Sequence, residues 1–358
     1  MNAVVPDRGS LGTSMGWREV PDGPLLEVSG LGVQIPTGEG VVHAIEDVSF
    51  QVAPGEVLGV VGESGSGKSV TGLALMGLLP RRAVVEGSIR FAGTELLDLS
   101  DREMRRRRGR DIAMIFQDPM TALNPVFTVG DQLVEMIRQH QDMTRAEARR
   151  EAVEMMDLVG IPEARRRVDQ YPHEFSGGMR QRAVIAIAMA NRPQLVIADE
   201  PTTALDVTIQ AQVMEVMRAV QQEVGSALIL ITHDLGLVAG TADRIQVMYG
   251  GRILETGSAH SIFAEGANPY TLGLLRSLPR LDRDRGAPLF SIPGAPPSAI
   301  LRPSGCPFQP RCGYATDRCR VELPALEPVA GTSHLSRCHH TEAVLTDRRL
   351  EMETGQDG

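Results

Sequence analysis

Gly62-Glu63-Ser64-Gly65-Ser66-Gly67-Lys68-Ser69 reads as G-x-x-x-x-G-K-[ST], the pattern of a loop that cradles nucleotide phosphates. The apolar run Val57-Leu58-Gly59-Val60-Val61 before it reads as a buried strand, and Val70-Thr71-Gly72-Leu73-Ala74-Leu75-Met76 after it as a helix. Strand, glycine loop and helix in that order separate a phosphate loop from a chance glycine-rich turn. The glycines let backbone N–H groups converge on phosphate oxygens, and the helix N-terminus adds its positive end. Lys68 is expected to reach the β- and γ-phosphates, and Ser69 to ligate Mg²⁺. ATP and Mg²⁺ are therefore the expected cofactors, held by Gly62 to Ser69 and the adjoining Val70.

A nucleotide site also needs a carboxylate for the metal. Leu195-Val196-Ile197-Ala198-Asp199-Glu200 supplies it as an apolar strand ending in two acids, at the strand end where ligands of a parallel sheet sit. Asp199 is expected to hold Mg²⁺. Glu200 points differently and can take the proton of an attacking water as general base. Pro201 directly afterwards would also suit a helix start with N-terminal acids, and the upstream loop decides for catalysis.

A second anion site follows from Phe175-Ser176-Gly177-Gly178-Met179-Arg180-Gln181, a Ser-Gly-Gly turn opening a helix. One nucleotide needs one cradle, so Ser176, Gly177 and Gly178 are expected to serve a nucleotide held by another subunit. The chain carries one phosphate loop and one such turn, with no internal repeat. Two composite sites therefore require pairing.

These motifs, in this order, resemble the nucleotide-binding subunits of ABC transporters from about Leu25 to Leu254. The resemblance implies an α/β fold: a P-loop ATPase core with a RecA-like subdomain and an antiparallel β subdomain, plus a helical subdomain at about 118–192 and a small Cys-rich C-terminal domain. It implies that Gln117 reaches the metal and γ-phosphate and signals to a membrane partner. Asp206, in Ala204-Leu205-Asp206, would lie in the loop linking the two sites across the dimer. His233, after the apolar strand Ala227 to Ile231, would contact the γ-phosphate and order the attacking water. The family stacks adenine on an aromatic residue where this chain has Ile35, which can cover a base but offers no π-face. Met179 stands where a side-chain amide is usual.

The chain has 358 residues and a net charge of −9, which argues against general nucleic-acid binding. No apolar run reaches the ~18 residues of a membrane span, and no charged-then-apolar leader suggests secretion. Work at a membrane would go through subunits that span it. Residues 1–24, rich in Gly, Pro and Ser, read as a mobile extension, 25–256 as the nucleotide-binding domain, 257–340 as a C-terminal extension, and 341–358 as a disordered tail. Arg105 to Arg108 with Arg110 read as a solvated face without assigned role.

All four cysteines, Cys306, Cys312, Cys319 and Cys338, fall within 33 residues as C-x5-C-x6-C-x18-C. Clustered thiols suggest a metal, and the C-x2-4-C pairs usual for zinc are missing. Four thiolates at wider spacing suit a [4Fe–4S] cluster, with zinc and free buried thiols left open. Asn268-Pro269-Tyr270-Thr271, Leu274 to Pro279 and the cysteine segment resemble the C-terminal extension of dipeptide and oligopeptide importer ATPases. With Met179 they resemble the D-type subunit. That resemblance implies a heterodimer with a second ATPase, two transmembrane permeases, an extracytoplasmic solute-binding protein and a peripheral position on the cytoplasmic face of the inner membrane. Related importers carry nickel, glutathione or other small solutes, and soluble ABC ATPases of repair or translation form a further class.

Overall fold

The computed structural model describes residues 23–118, 122–203, 205–278 and 290–354. Most of the expected N-terminal extension, part of the segment after Gln117, Ala204, Pro279 and the last four residues lie outside these. Two sheets organise the described residues.

The smaller sheet is antiparallel, in the order β2-β1-β4-β5. Its strands are β1 (Leu26–Thr37), β2 (Gly40–Val52), β4 (Val84–Phe91) and β5 (Thr94–Glu95). The larger follows the order β11-β12-β10-β9-β3-β8-β7-β6. Within it β3 (Val57–Val61), β6 (Ile112–Ile115), β7 (Leu195–Asp199), β8 (Ala227–Thr232) and β9 (Arg244–Tyr249) run parallel. Buried on both faces, β3, β7 and β8 read as unbroken apolar runs rather than alternating ones.

Helix α1 (Lys68–Leu75) packs on this sheet so closely that a Cβ at Gly72 would lie 3.2 Å from Ile197 and 3.3 Å from Ile231. The helical layer comprises α3 (Val129–His140), α4 (Arg145–Leu158), the short α5 (Ala164–Arg167) and α6 (Gly177–Met189), beyond α2 (Asp101–Arg107) of the smaller sheet's side. Its starts are written in the sequence: Thr128 accepts from the Asp131 N–H, and Thr144 forms a reciprocal cap with Glu147. Leu133, Ile137, Ala148, Ala152 and Met156 form the seam between α3 and α4, continuous with the core under the large sheet. Helices α7 (Val207–Val224) and α8 (Leu235–Ala239) complete the parallel connections.

The C-terminal region departs from expectation in two respects. The boundary drawn at 257 falls inside β10 (Arg252–Ser258), and the region is an extension of the main sheet rather than a separate small domain. Strand β12 (Leu335–Ser336) pairs with β10, and β11 (Glu327–Pro328) with β12. Buried polar contacts seal the join: His334 Nε2 lies 2.7 Å from Glu255 Oε1, and Arg337 donates to the Ile253 carbonyl at 3.0 Å. Helices α9 (Ala259–Glu265), α10 (Pro269–Arg276) and α11 (Asp317–Val321) lie between these strands in sequence. The disordered tail expected from 341 is instead helix α12 (Thr341–Thr354), anchored by the fully buried Val344. Its largely polar sequence hid the apolar anchor at Val344. Among the described residues no helix is long and apolar enough to cross a membrane.

Candidate active site

The loop Gly62–Ser69 leaves β3 and enters α1, and its backbone can be built only with glycine at two points. Gly62 has φ +153°, and a Cβ there would sit 2.1 Å from the Met248 carbonyl oxygen. Gly67 has φ +101°, with the Ala44 carbonyl 2.8 Å from the same imagined atom. The loop is thus wedged between β9 and β2. Lys68 is 4% exposed and donates through Nζ to the carbonyls of Gly62 (2.6 Å) and Glu63 (2.9 Å) and to Ser66 Oγ (3.4 Å). Burial lowers its pKa from the ordinary lysine value, and the carboxylates of Glu200, Asp199 and Glu63 work against that shift.

Ser69 Oγ donates to Asp199 Oδ1 at 2.9 Å, joining the start of α1 to the end of β7. Burial raises the Asp199 pKa more than this hydrogen bond lowers it. A hydroxyl and a carboxylate in contact beside a phosphate loop are the hard oxygen donors that Mg²⁺ takes, so the donor set fits the ion.

Glu200 ends β7's acidic pair in the left-handed region, at φ +46°, with its N–H held by the Ile231 carbonyl at 2.8 Å. Its Oε2 accepts from Gln117 Nε2 at 3.2 Å and Thr203 Oγ1 at 2.9 Å, and lies 3.3 Å from His233 Nδ1. The three candidates for the chemistry, which stand far apart in sequence, therefore meet at one carboxylate oxygen. Thr203 is a member the sequence reading missed, and its position three residues after Glu200 was the available signal.

Other expected residues lie elsewhere. Ser176 caps α6 by accepting from the Met179 N–H at 3.3 Å, and a Cβ on Gly177 or Gly178 would meet Leu205 or Ile209. Asp206 caps α7 through the Ile209 N–H at 3.0 Å. The Ser-Gly-Gly turn and the Asp206 loop thus adjoin, outside the group gathered at Glu200. Ile35 is half-buried against the core of the smaller sheet, opposite Val42 in the β1–β2 pair, and Val70 packs against the same core.

Glu63 is fixed from the C-terminal region. Its N–H donates to Tyr270 Oη at 2.8 Å, and its carboxylate takes a two-pronged bond from Arg311 at 2.6 and 3.0 Å. Tyr270, Tyr249 and Phe308 pack ring against ring below, with centroids 4.6 to 5.3 Å apart. Sequence reading missed this link, because no local pattern joins residues 248 apart.

All four cysteines line one cavity of about 20 Å³, with His339 and His340 on its wall. Backbone N–H groups of Tyr314 and His340 donate to the sulfurs of Cys312 and Cys338 at 3.4 and 3.3 Å. Burial raises the thiol pKa of Cys306, and pushes Cys312 up to about 11 and Cys338 up to about 12, so all three are protonated thiols at neutral pH. Among the described residues no three His, Cys, Asp or Glu side chains are already set as a metal-holding group. A cavity of that size takes about one water-sized atom, so the expected [4Fe–4S] cluster does not fit this arrangement as it stands.

Loop, acidic strand end and gathered Glu200 define a P-loop ATPase of the ABC class. Residues 45–203 match the ABC transporter family model, and residues 254–319 match the oligopeptide/dipeptide transporter C-terminal region. The oligopeptide transport ATP-binding protein OppD of Salmonella typhimurium is 52% identical over 86% of this chain and 91% of its own length. The dipeptide transport ATP-binding protein DppD of Escherichia coli is 50% identical over 88% of this chain and 96% of its own. OppD of Mycobacterium tuberculosis is 52% identical over 90% of this chain, which spans only 52% of that longer protein. Among solved structures, the dimeric ADP- and phosphate-bound cassette MJ0796 superposes with a TM-score of 0.58 at 26% identity, over 65% of this chain and 98% of its own. The chain belongs to the family of ATP-binding proteins of oligopeptide and dipeptide ABC transporters.

Proposed function

We propose that this chain is an ATP-hydrolysing subunit that powers import of di- or oligopeptides through a membrane ABC transporter. The observation that carries the reading is the meeting of Gln117, His233 and Thr203 at Glu200, one residue beyond the Asp199–Ser69 contact and beside the phosphate loop. In this reading Gly62 to Ser69 hold the triphosphate, with Lys68 exchanging loop carbonyls for phosphate oxygens. Ser69 and Asp199 would hold Mg²⁺, which when bound neutralises charge on the phosphates. Glu200 accepts the proton of a water aligned for in-line attack, and His233 and Gln117 orient that water. Ser176, Gly177 and Gly178 close over a nucleotide held by a second ATPase subunit.

A docking surface supports a permease partner. Val126 and Phe127 are 70% and 51% exposed just after the segment that begins at Gln117. Beside them lies a cavity of about 540 Å³ lined by Phe127, Val134, Arg138 and Arg145. Two permease subunits, a heterodimeric ATPase partner, an extracytoplasmic binding protein and a peripheral position on the cytoplasmic face complete the proposal. The convergence of four thiols on one cavity, two of them accepting backbone N–H bonds, supports a metal group there.

Uptake of a labelled dipeptide, a longer peptide and nickel ion tests the function, comparing cells carrying the native chain with cells carrying Glu200→Gln. Loss of peptide uptake in the variant is the expected result. Loss of nickel uptake alone would move the chain to metal import, and unchanged uptake of all three would overturn the importer reading.

A further inference from the structure

Arg311 lies outside the group around Glu200, and all of its donors are used. It is 4% exposed, and each of its five N–H donors has an acceptor. Nε donates to the Pro293 carbonyl at 2.8 Å and Nη2 to the Ile292 carbonyl at 3.0 Å. Nη1 donates to Tyr249 Oη at 3.2 Å, and the remaining two donors take both oxygens of Glu63 at 2.6 and 3.0 Å. The guanidinium also lies over the rings of Tyr249 and Phe308, at 5.8 and 6.0 Å from their centroids. An ammonium in its place could satisfy at most three acceptors.

Glu63 is the second residue of the phosphate loop, and its carboxylate is close enough to act on the buried charge of Lys68. Left alone, that negative charge would oppose an incoming triphosphate. We propose that Arg311, supplied by the C-terminal region, is a positioning residue of the nucleotide site: it cancels the Glu63 charge and fixes the carboxylate, and with it the loop, in the form that accepts phosphate. The Glu63 N–H bond to Tyr270 Oη holds the same residue from the same region, so backbone and side chain are set by one wall. The C-terminal region is then a working part of the ATP site. Because Arg311 directly precedes Cys312, the turn that presents the guanidinium also presents a thiol of the cysteine cavity.

The inference rests on Gly62–Ser69 being a phosphate loop, and the test separates the two. Binding of Mg–mant-ATP to the full chain is measured by fluorescence for the native protein, Lys68→Ala, Arg311→Met, Glu63→Gln and the double variant Glu63→Gln/Arg311→Met. Arg311→Met is expected to bind about tenfold more weakly. Glu63→Gln, which keeps an acceptor for Arg311 but leaves the guanidinium charge uncompensated, is expected to bind more tightly than native. The double variant is expected to recover affinity to within about threefold of native, a rescue that a purely structural brace would not give. Native affinity in Arg311→Met, or a double variant no tighter than that single one, overturns the proposal. Should Arg311→Met fail to fold, native or weaker binding by Glu63→Gln alone overturns it. Native affinity in Lys68→Ala would instead overturn the reading of the loop itself.

Discussion

Glu200 is held in a backbone conformation that a glutamate adopts only under constraint, and that constraint aims its carboxylate. A positive φ at a non-glycine residue costs on the order of 1 kcal/mol or more. Here it turns the side chain away from the line of Asp199 and into reach of Gln117, Thr203 and His233. In the proposed mechanism these adjacent acids separate into a metal-side carboxylate and a water-side one. Glu200→Gln keeps the shape and removes the proton acceptor, so ATP binding should persist while hydrolysis falls by about a hundredfold or more. Full turnover in a single-turnover assay of that variant would refute the general base.

Asp199 gives a pH signature at the same scale. Burial holds its pKa above the ordinary value, so the folded chain keeps this proton to higher pH than the unfolded chain does. The group therefore contributes stability that fades as pH rises through its raised pKa. Metal ligation has the opposite slope, because the ion must displace the proton. The Mg²⁺ concentration for half-maximal ATP binding should rise on acidification, starting at higher pH than a solvent-exposed aspartate would dictate. Asp199→Asn should weaken Mg²⁺ binding and flatten that dependence; an Asn variant as pH-sensitive as native would show another group to be responsible.

At the scale of elements, the sequence disclosed what is local or periodic. β3, β7 and β8 were legible as short apolar runs, and α6 and α7 begin at Ser176 and Asp206, residues of the type that cap helices. The loop was legible because its glycines, lysine and serine are contiguous. Long-range joins were not legible. The pairing of β12 with β10 involves two residues on the short strand, too few to carry a period, and the Arg311–Glu63 bond has no local trace. Helix α12 was missed because its sequence is mostly polar, although the buried Val344 anchors it.

The cysteine region yields an element-scale prediction. Cys312 and Cys338 hold their protons up to about 11 and about 12, so loading a metal at neutral pH must expel them. Metal uptake by the reduced protein should release protons and strengthen with rising pH, as calorimetry in buffers of different ionisation enthalpy would read. Protein purified without oxygen should carry iron and sulfide with visible absorbance if the thiols hold a cluster, or one equivalent of zinc without colour. Neither metal, and no proton release, would leave the four as free thiols.

For the whole molecule, the proposed mechanism makes the placement of the phosphate loop and the Ser-Gly-Gly turn decide the stoichiometry of work. The phosphate loop lies between β9 and β2, whereas the Ser-Gly-Gly turn abuts Leu205, Ile209 and the Asp206 loop at the start of α7. The turn and the loop thus have different neighbours, and in the proposed mechanism hydrolysis belongs to a pair. ATP turnover by a fixed amount of this chain should climb as the partner ATPase is titrated in, levelling near one equivalent. Ser176→Arg, which puts a long side chain where phosphate should approach the turn, should lower that plateau by about tenfold or more. The decisive comparison is the shape of the titration. A plateau reached at one equivalent and depressed by the variant requires each chain to complete the other's site. Turnover indifferent to both partner and variant would mean that a single chain hydrolyses ATP with the residues around Glu200 alone.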